Sequence, residues 1–392
     1  MNLQKIKNIW HLVNAIIANI YYMFPTKKLI VIGVTGTDGK TTVSSAIYHI
    51  LRKSGEKAAL ISTVGAEING NFIETGLHVT TPGPFEIQKF AKLAINAGCK
   101  YLVLEITSIG LDQYRDFGTS YQIGLVTNLS HEHLDYHGTM DNYAKSKFKL
   151  LLRSKIKLVT LNCGPINDLS QNLSNLHTYS FNKNTDFTKT NFNIPEIIGD
   201  YNKENLVGAA STVSLLGIDN EKINTALKSF QLPKGRMEKF LGKNKELFFI
   251  DFGHTPQALE SALSSIKKEY PNHKIISVFG AAGLRDYSKR PLMGKAASKY
   301  SDIIIITNED PRTENQEKIS SDIISGIPKN FSKSNQILVI NDRQAAIKKG
   351  VELSDNKTIC LFFGKGHEKS MNISGVEKPW DEQKVLVKAL GK

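Results

Sequence analysis

With 392 residues, 41% hydrophobic and 22% charged, the chain has room for two or three domains and the balance of a soluble globular protein. Its 3 cysteines, Cys99, Cys163 and Cys360, form no C-x-x-C pair, which argues against a disulfide framework and a cysteine zinc site and fits a reducing cytoplasm. A formal charge of +13 suits nucleic acid, a membrane surface or an anionic small substrate, but without an arginine-rich tract or basic–aromatic alternation nucleic acid is not an expected partner.

The first element is apolar, Ile6 to Phe24, with Lys5 and Lys7 before it and Lys27 and Lys28 after it. His11, Asn14 and Asn19 break the run, so it falls short of a membrane span, and no small-residue cleavage site follows it. Its periodicity predicts an amphipathic helix packed on the body of the protein; its basic flanks also allow peripheral membrane contact through residues 5–24. From there short apolar runs alternate with helical patterns. Strands are expected at "KLIVIGVT", "KAALIST", "KYLVLEIT", "YQIGLVTN", "IKLVTLN", "LFFIDF", "KIISVFG", "SDIIIITN", "QILVIN" and "TICLFFG". Helices are expected at Thr41–Lys53, Pro84–Ala97, Met140–Leu152, Pro256–Glu269 and Arg290–Tyr300. This alternation of buried-type strands with helices predicts α/β architecture with mostly parallel sheets. The Asn-, Ser- and Thr-rich stretch from Pro165 to Pro195 predicts short connecting strands and loops, and "LPKGRME" reads as a linker. The expected domains are 1–27, 28–234 and 235–392.

Three clusters carry chemistry. In "VIGVTGTDGKTT" a strand runs into a glycine turn and then a helix. A P-loop of the form G-x-x-x-x-G-K-[ST] would need glycine at position 34, which is Val34. Even so, backbone N–H groups of Gly36, Thr37, Asp38 and Gly39 can surround an anion at a helix start, Lys40 can reach phosphate, and the Thr41 hydroxyl can meet Mg²⁺, with Thr42 next to it. In "LEITSIGLDQYR", Glu105 ends an apolar strand, where open α/β sheets place their sites; by itself it reads equally well as a surface glutamate. In "VTNLSHEHLDYHGTMDNYAKSKFKLL", Asn128, His131, His133, Asp135 and His137 crowd another strand end before a helix bearing Lys145, Lys147 and Lys149. By residue type alone those lysines form a solvated face, and the histidines lack the H-E-x-x-H or cysteine partners of a zinc site.

Taken in order, "GVTGTDGKTT", "TTPGP", "LEITSIGLDQYR", "TNLSHEHLDYHGTMDNYAKSK", "GDYNKEN", "GRMEKF", "IDFGHTPQAL", "FGAAGLRDYSKRPLMGKAA", "NEDPRTE" and "GKGHE" resemble the Mur ligases, specifically their tripeptide-synthetase branch, over nearly the whole chain after residue 28. The resemblance implies a central P-loop ATPase domain followed by a Rossmann-like C-terminal domain. It implies ATP and two Mg²⁺ ions as cofactors. Lys40 and Thr41 would hold the phosphates and one ion; Glu105, His133 and Lys147 would hold the other, with Lys147 carrying a CO₂-derived carbamate. Asn202 would meet the adenine, and Arg236, Asp251 and His254 would approach the nucleotide. Thr80, Thr81, Ser108 and Arg115 match positions that hold the muramyl-peptide acceptor, and Arg285, Asp310, Arg312, Gly364 and Glu368 match the pocket of the incoming amino acid. The implied reaction is attack of a substrate carboxylate on ATP, giving an acyl phosphate that an amine converts to an amide, with ADP and phosphate released. The enzyme would act in the cytoplasm, on a peptidoglycan precursor and a diamino acid.

Three departures from the pattern bear on substrate. Only residues 5–24 resemble the end of the family's UDP-binding N-terminal domain, which points to an acceptor without UDP, one linked to lipid, or one presented by a partner. The family's S-S-H-A-L is "TSIGL" here, with Ile109 in place of histidine. Diaminopimelate enzymes usually show Asp-Asn-Pro-Arg where this chain has Glu309-Asp310-Pro311-Arg312; on charge alone Asp310 favours an ammonium, hence lysine or ornithine, with diaminopimelate kept open. Two further readings compete: a related ligase of folylpolyglutamate or cyanophycin type, against which "GRME", "GKGHE" and "DPR" argue, and a non-catalytic nucleotide-binding module at the membrane.

Overall fold

A computed structural model describes residues 3–74, 80–161, 163–331 and 336–391, with side chains from residue 7 onward. The chain divides into two units, Met1–Ser130 with Tyr136–Gln231, and His131–Asp135 with Leu232–Lys392.

In the first unit β1 (Ile30–Thr35), β2 (Ala58–Ser62), β3 (Gly65–Ile68), β4 (Asn71–Ile73), β5 (Tyr101–Glu105), β6 (Tyr121–Val126), β7 (Ser154–Thr160) and β8 (Leu176–Tyr179) form one sheet, ordered β4-β3-β2-β5-β1-β6-β7-β8. From β2 through β8 every neighbouring pair in that order is parallel, while β3 pairs antiparallel with both β2 and β4. Central strands bury both faces, so they are apolar at every position rather than at alternate ones: all five residues of β5 are buried. The β3–β4 hairpin was absent from the expected strands. Its signal is Asn69-Gly70, a dipeptide whose left-handed φ values of 50° and 94° suit a two-residue hairpin turn.

The helices of this unit are α1 (Leu3–Tyr22), α2 (Lys40–Lys53), α3 (Pro84–Asn96), α4 (Ser108–Asp112), α5 (Leu134–His137, whose first two residues group with the second unit), α6 (Met140–Leu152), α7 (Pro165–Ser170), α8 (Asp200–Leu215) and α9 (Asn220–Leu227). Thr139 caps α6, its side chain accepting from Asn142 N–H. The same helix lies close over β1 and β6: a Cβ on Gly33 would come within 2.6 Å of Leu150 Cδ1. Helix α1 packs against α3, and its polarity is reversed from the usual sense. Ala15, Ala18 and Asn19 are fully buried, while Ile9, Trp10, Ile17 and Ile20 are exposed, Trp10 by 65%. Asn19 fixes that orientation, its Nδ2 donating to Phe117 O at 2.7 Å.

In the second unit β9 (Glu238–Leu241), β10 (Leu247–Asp251), β11 (Lys274–Phe279), β12 (Ile303–Ile306), β13 (Gln336–Val339) and β14 (Thr358–Phe363) form a sheet ordered β13-β12-β11-β14-β10-β9, parallel except for β9. A separate hairpin joins β15 (Ser370–Ile373) and β16 (Val376–Pro379). Helices α10 (Pro256–Glu269), α11 (Lys289–Ser298), α12 (Gln316–Ile324), α13 (Arg343–Glu352) and α14 (Glu382–Ala389) belong to this unit. On one side of the sheet Phe248, Ile250, Val278, Ile305 and Phe362 form a core with Ile347 of α13 and Leu386 of α14. All ten expected strands and all five expected helices form, with ends moved by a residue or two. Among the described residues no helix is long and apolar enough to cross a membrane.

Candidate active site

Strand order builds the first cluster. Because β1 lies between β5 and β6, Val34 pairs with Glu105 and Thr35 with Val126, so three strand ends meet at one edge of the sheet. The loop Gly36–Gly39 leaves β1 there, and Gly39 caps α2 in the left-handed conformation. Asn128 Oδ1 accepts from the Thr37 and Asp38 N–H groups at 2.9 and 2.8 Å, and Thr127 Oγ1 donates to Asp38 O at 2.6 Å. These contacts need glycine at position 36: a Cβ there would sit 1.8 Å from Thr127 Oγ1. Lys40 Nζ donates to Gly36 O and Thr37 O at 3.1 and 2.7 Å.

Glu105 is 1% exposed, and its carboxylate accepts from the Thr41 hydroxyl at 3.0 Å, the Thr63 hydroxyl at 2.9 Å and Thr63 N–H at 3.1 Å. Lys147 is equally buried. Its Nζ donates to Gly36 O at 2.6 Å and lies 4.4 Å from the Tyr143 ring centre, and the Tyr143 hydroxyl is 3.0 Å from Thr37 Oγ1. The expectation that the lysines of this helix form a solvated face holds for the exposed Lys145 and fails for Lys147, which turns inward. The structure thus gathers Gly36, Thr37, Lys40, Thr41, Glu105 and Lys147 around one strand edge. Thr42 is buried one residue further along α2, and Asn202, buried in α8, donates from Nδ2 to Ile198 O at 2.8 Å. Asn128, placed by sequence at a crowded strand end, completes the cluster with Thr63 and Tyr143, to which sequence reading assigned no part.

Among the described residues no group of three or more His, Cys, Asp or Glu side chains could hold a metal. A buried carboxylate beside a threonine hydroxyl is instead an all-oxygen donor pair, which suits Mg²⁺, an ion that keeps water and phosphate oxygens in its shell. These residues therefore fit Mg²⁺.

A second group of the first unit lies around Thr81. Its Oγ1 accepts from Thr107 N–H at 2.8 Å, and its carbonyl accepts from Arg115 Nη1 at 2.6 Å. Thr80 is half-buried beside it. Ser108 Oγ lies 3.0 Å from His137 Nε2. Burial, and then the nearby Lys147 ammonium, push the His137 pKa down to about 4, so this ring is neutral at pH 7.

Within the second unit, the segment carrying His133 is held by a buried ion pair between Glu132 and Lys289, 3.2 Å long. His133 has φ +55°, and left-handed φ recurs at Met237, Leu284 and Arg312, each being or adjoining a candidate site residue. Strain of this kind costs on the order of 1–3 kcal/mol per residue and tends to gather at working sites. Asp251 accepts from Met237 N–H at 2.8 Å and Gly253 N–H at 2.7 Å, so it organises the turn after β10. Arg236 stacks over the Phe252 ring at 4.6 Å, and His254 Nδ1 lies 3.0 Å from Phe252 O.

Of the remaining candidates, Asp310, Gly364 and Glu368 lie at Lys365, and Arg285 lies near Arg312. Lys365 is 1% exposed; it binds Asp310 Oδ1 at 2.9 Å and pairs with Glu368. Burial works against its charge, yet the two carboxylates hold its pKa above the usual value. Asp310 therefore already has a cationic partner inside the protein, a lysine it shares with Glu368, which weakens the reason for reading it as an ammonium-selecting group. The Arg312 pKa is lowered by burial and then by the neighbouring Arg285 guanidinium, while Asp310, Glu377 and Glu309 act in the opposite sense. Glu309, not assigned by sequence reading, is buried against Gly364, and its Oε2 has no hydrogen-bond partner among the described residues. Burial pushes its pKa up to about 7.

Comparison with known proteins identifies the family. Residues 34–220 match the Mur ligase middle domain and residues 235–366 match the family described as Mur ligase, glutamate ligase domain. The chain is 37% identical to the UDP-N-acetylmuramoyl-L-alanyl-D-glutamate–2,6-diaminopimelate ligase of Aquifex aeolicus, over 95% of this chain and 80% of that protein. It is 36% identical to the UDP-N-acetylmuramyl-tripeptide synthetase of Borreliella burgdorferi, over 95% and 78%. A solved UDP-N-acetylmuramoyl-L-alanyl-D-glutamate–2,6-diaminopimelate ligase superposes with a TM-score of 0.59 at 30% identity, covering 93% of this chain and 78% of that one. Folylpolyglutamate synthase of Mycobacterium tuberculosis superposes at 0.73 with 14% identity over 90% and 91%, a likeness of fold alone. The chain belongs to the Mur ligase family and is an ATP-dependent, amide-forming ligase.

Proposed function

We propose that the protein joins 2,6-diaminopimelate to the D-glutamate carboxylate of a muramoyl-L-alanyl-D-glutamate acceptor, splitting ATP to ADP and phosphate. The acceptor carboxylate takes the γ-phosphoryl group, and the amine of the diamino acid displaces phosphate from the resulting acyl phosphate. Lys40 and the first turn of α2 neutralise phosphate charge, and the buried cluster excludes water that would hydrolyse the acyl phosphate. Thr41, Glu105 and a carbamylated Lys147 would hold Mg²⁺, which when bound supplies positive charge to the phosphates. Carbamylation would turn the Lys147 ammonium into an anionic oxygen donor beside Gly36. Arg115, Thr80, Thr81 and Ser108 serve the acceptor. The choice of amino acid is supported by the relatives named as 2,6-diaminopimelate ligases, and by Arg312 and Arg285 lying near one another beside an Asp310 that Lys365 partners. Two guanidiniums favour an incoming molecule with a distal carboxylate, which diaminopimelate has and lysine and ornithine lack. The test is ADP release with a panel of acceptors, with and without UDP, and the three diamino acids. Diaminopimelate should stimulate most; stimulation by lysine or ornithine alone would refute the choice, and no stimulation by any combination would refute the ligase assignment.

One observation favours a peripheral membrane contact in addition. The outward face of α1 presents Ile9, Trp10, Val13, Ile17 and Ile20, with exposed Lys7 near its start and exposed Lys27 and Lys28 beyond its end. Apolar bulk flanked by lysine suits the interface of an anionic bilayer. Anionic vesicles should blue-shift the Trp10 emission, and a Trp10→Phe variant should identify that signal. Unshifted emission together with absence from the vesicle pellet would refute the contact.

A further inference from the structure

We infer that Arg343 is a positioning residue for the amino-acid pocket, holding in register two segments that the sheet itself leaves apart; this rests on the pocket assignment made above. The segments follow β12 and β14. Asn308 precedes Glu309 and Asp310, and Phe363 precedes Gly364 and Lys365. These strands are not neighbours, because β11 lies between them, so no ladder bond joins their ends. The guanidinium of Arg343, at the start of α13, spans the gap. Its Nη1 donates to Asn308 O at 3.0 Å and its Nη2 to Phe363 O at 2.7 Å. The same group is held from behind by Glu382: Nε donates to Oε2 at 2.9 Å and Nη2 to Oε1 at 2.6 Å. Glu382 in turn accepts from Trp380 Nε1 at 2.7 Å. Both charged side chains are almost wholly buried, 1% and 0% exposed.

A buried guanidinium must satisfy its N–H groups, and its planar fork fixes the directions in which acceptors can stand. The two carbonyls are therefore placed by Arg343, and with them the carboxylates and the glycine that follow. The Lys365–Asp310 ion pair then closes the same two segments at 2.9 Å on the pocket side. A lysine at 343 would keep the charge opposite Glu382 but could not reach both carbonyls with fixed geometry.

The experiment uses the full chain with Arg343→Lys and, as a softer variant, Trp380→Phe. Melting temperature, kcat, and KM for ATP and for diaminopimelate are measured, together with hydrogen exchange in peptides covering 307–311 and 363–366. Arg343→Lys should raise KM for the diamino acid about tenfold while KM for ATP stays within about twofold, as misplacement confined to one pocket requires. Exchange should rise in both peptides together. Trp380→Phe should move the same quantities in the same direction by about twofold, and it decides the matter if Arg343→Lys does not fold. Unchanged exchange in either peptide, or KM values for ATP and diamino acid rising in parallel, would overturn the assignment. If the unmodified protein shows no response to any diamino acid, the pocket reading fails while exchange still judges the clamp.

Discussion

Replacing Gly36 with alanine tests whether the displaced glycine spacing of the loop is built for close approach. The added Cβ would fall 1.8 Å from Thr127 Oγ1, whereas ordinary contact begins at 3.4 Å, so 3.4 minus 1.8, or 1.6 Å, must be found by movement. Thr127 can rotate away only by giving up its bond to Asp38 O, which costs about 1 kcal/mol. Otherwise the loop shifts, taking Lys40 and the contact of Lys147 with it. A shift on the order of 1 Å in a positioning element costs about 100-fold in rate, or about 2.7 kcal/mol of barrier. The assay is kcat/KM for ATP in coupled ADP release, and about a 100-fold loss is expected. The double variant Gly36→Ala/Thr127→Ala removes the offending hydroxyl, leaving its Cβ at 3.0 Å, and should recover about tenfold. A single variant within about threefold of the parent, or a double variant no better than the single, would refute the close-approach argument.

Lys147→Ala should abolish turnover, with partial return on adding short carboxylates if a carbamate is the working group; full activity in the plain variant would remove Lys147 from the reaction. Glu309 carries a pH signature. Its folded pKa of about 7 lies above the ordinary 4.5, so the fold holds this proton more tightly than the unfolded chain does. The resulting stability is fully present below about pH 4.5 and is lost as pH rises to about 7, by at most about 3 kcal/mol. Denaturant titrations of the parent should therefore lose stability over that window relative to Glu309→Gln, and parallel pH profiles would count against it. Asp310→Asn takes one anion from beside Lys365 and Arg312, so KM for diaminopimelate should fall by about two- to fivefold; a rise would mean that Asp310 contacts the substrate amine instead.

The parallel strands were legible because burial on both faces leaves them apolar throughout, as β5 shows. Lys40, Thr41 and Glu105 were legible because motif and strand end coincide. What escaped depends on which strands become neighbours. Thr63 follows β2, 42 residues before Glu105, and meets it only because β2 and β5 pair. Asn128 needed β6 beside β1 before its amide could reach the loop. At Asp310 residue type gave the charge but not its partner, since Lys365 meets it only where the segments after β12 and β14 come together. Periodicity announced α1 and could not say which face turns inward; that was decided by Asn19 and two alanines at a close contact.

Gly33 remains from the opening motif. It sits inside β1, below the phosphate loop, and leaves only a hydrogen where α6 crosses. The depth to which that helix settles sets the reach of the lysine it carries. A single methyl group at residue 33 would act as a shim under α6 and withdraw an amine from the loop without touching any loop atom. In this chain the first glycine of the motif is a seat for a helix.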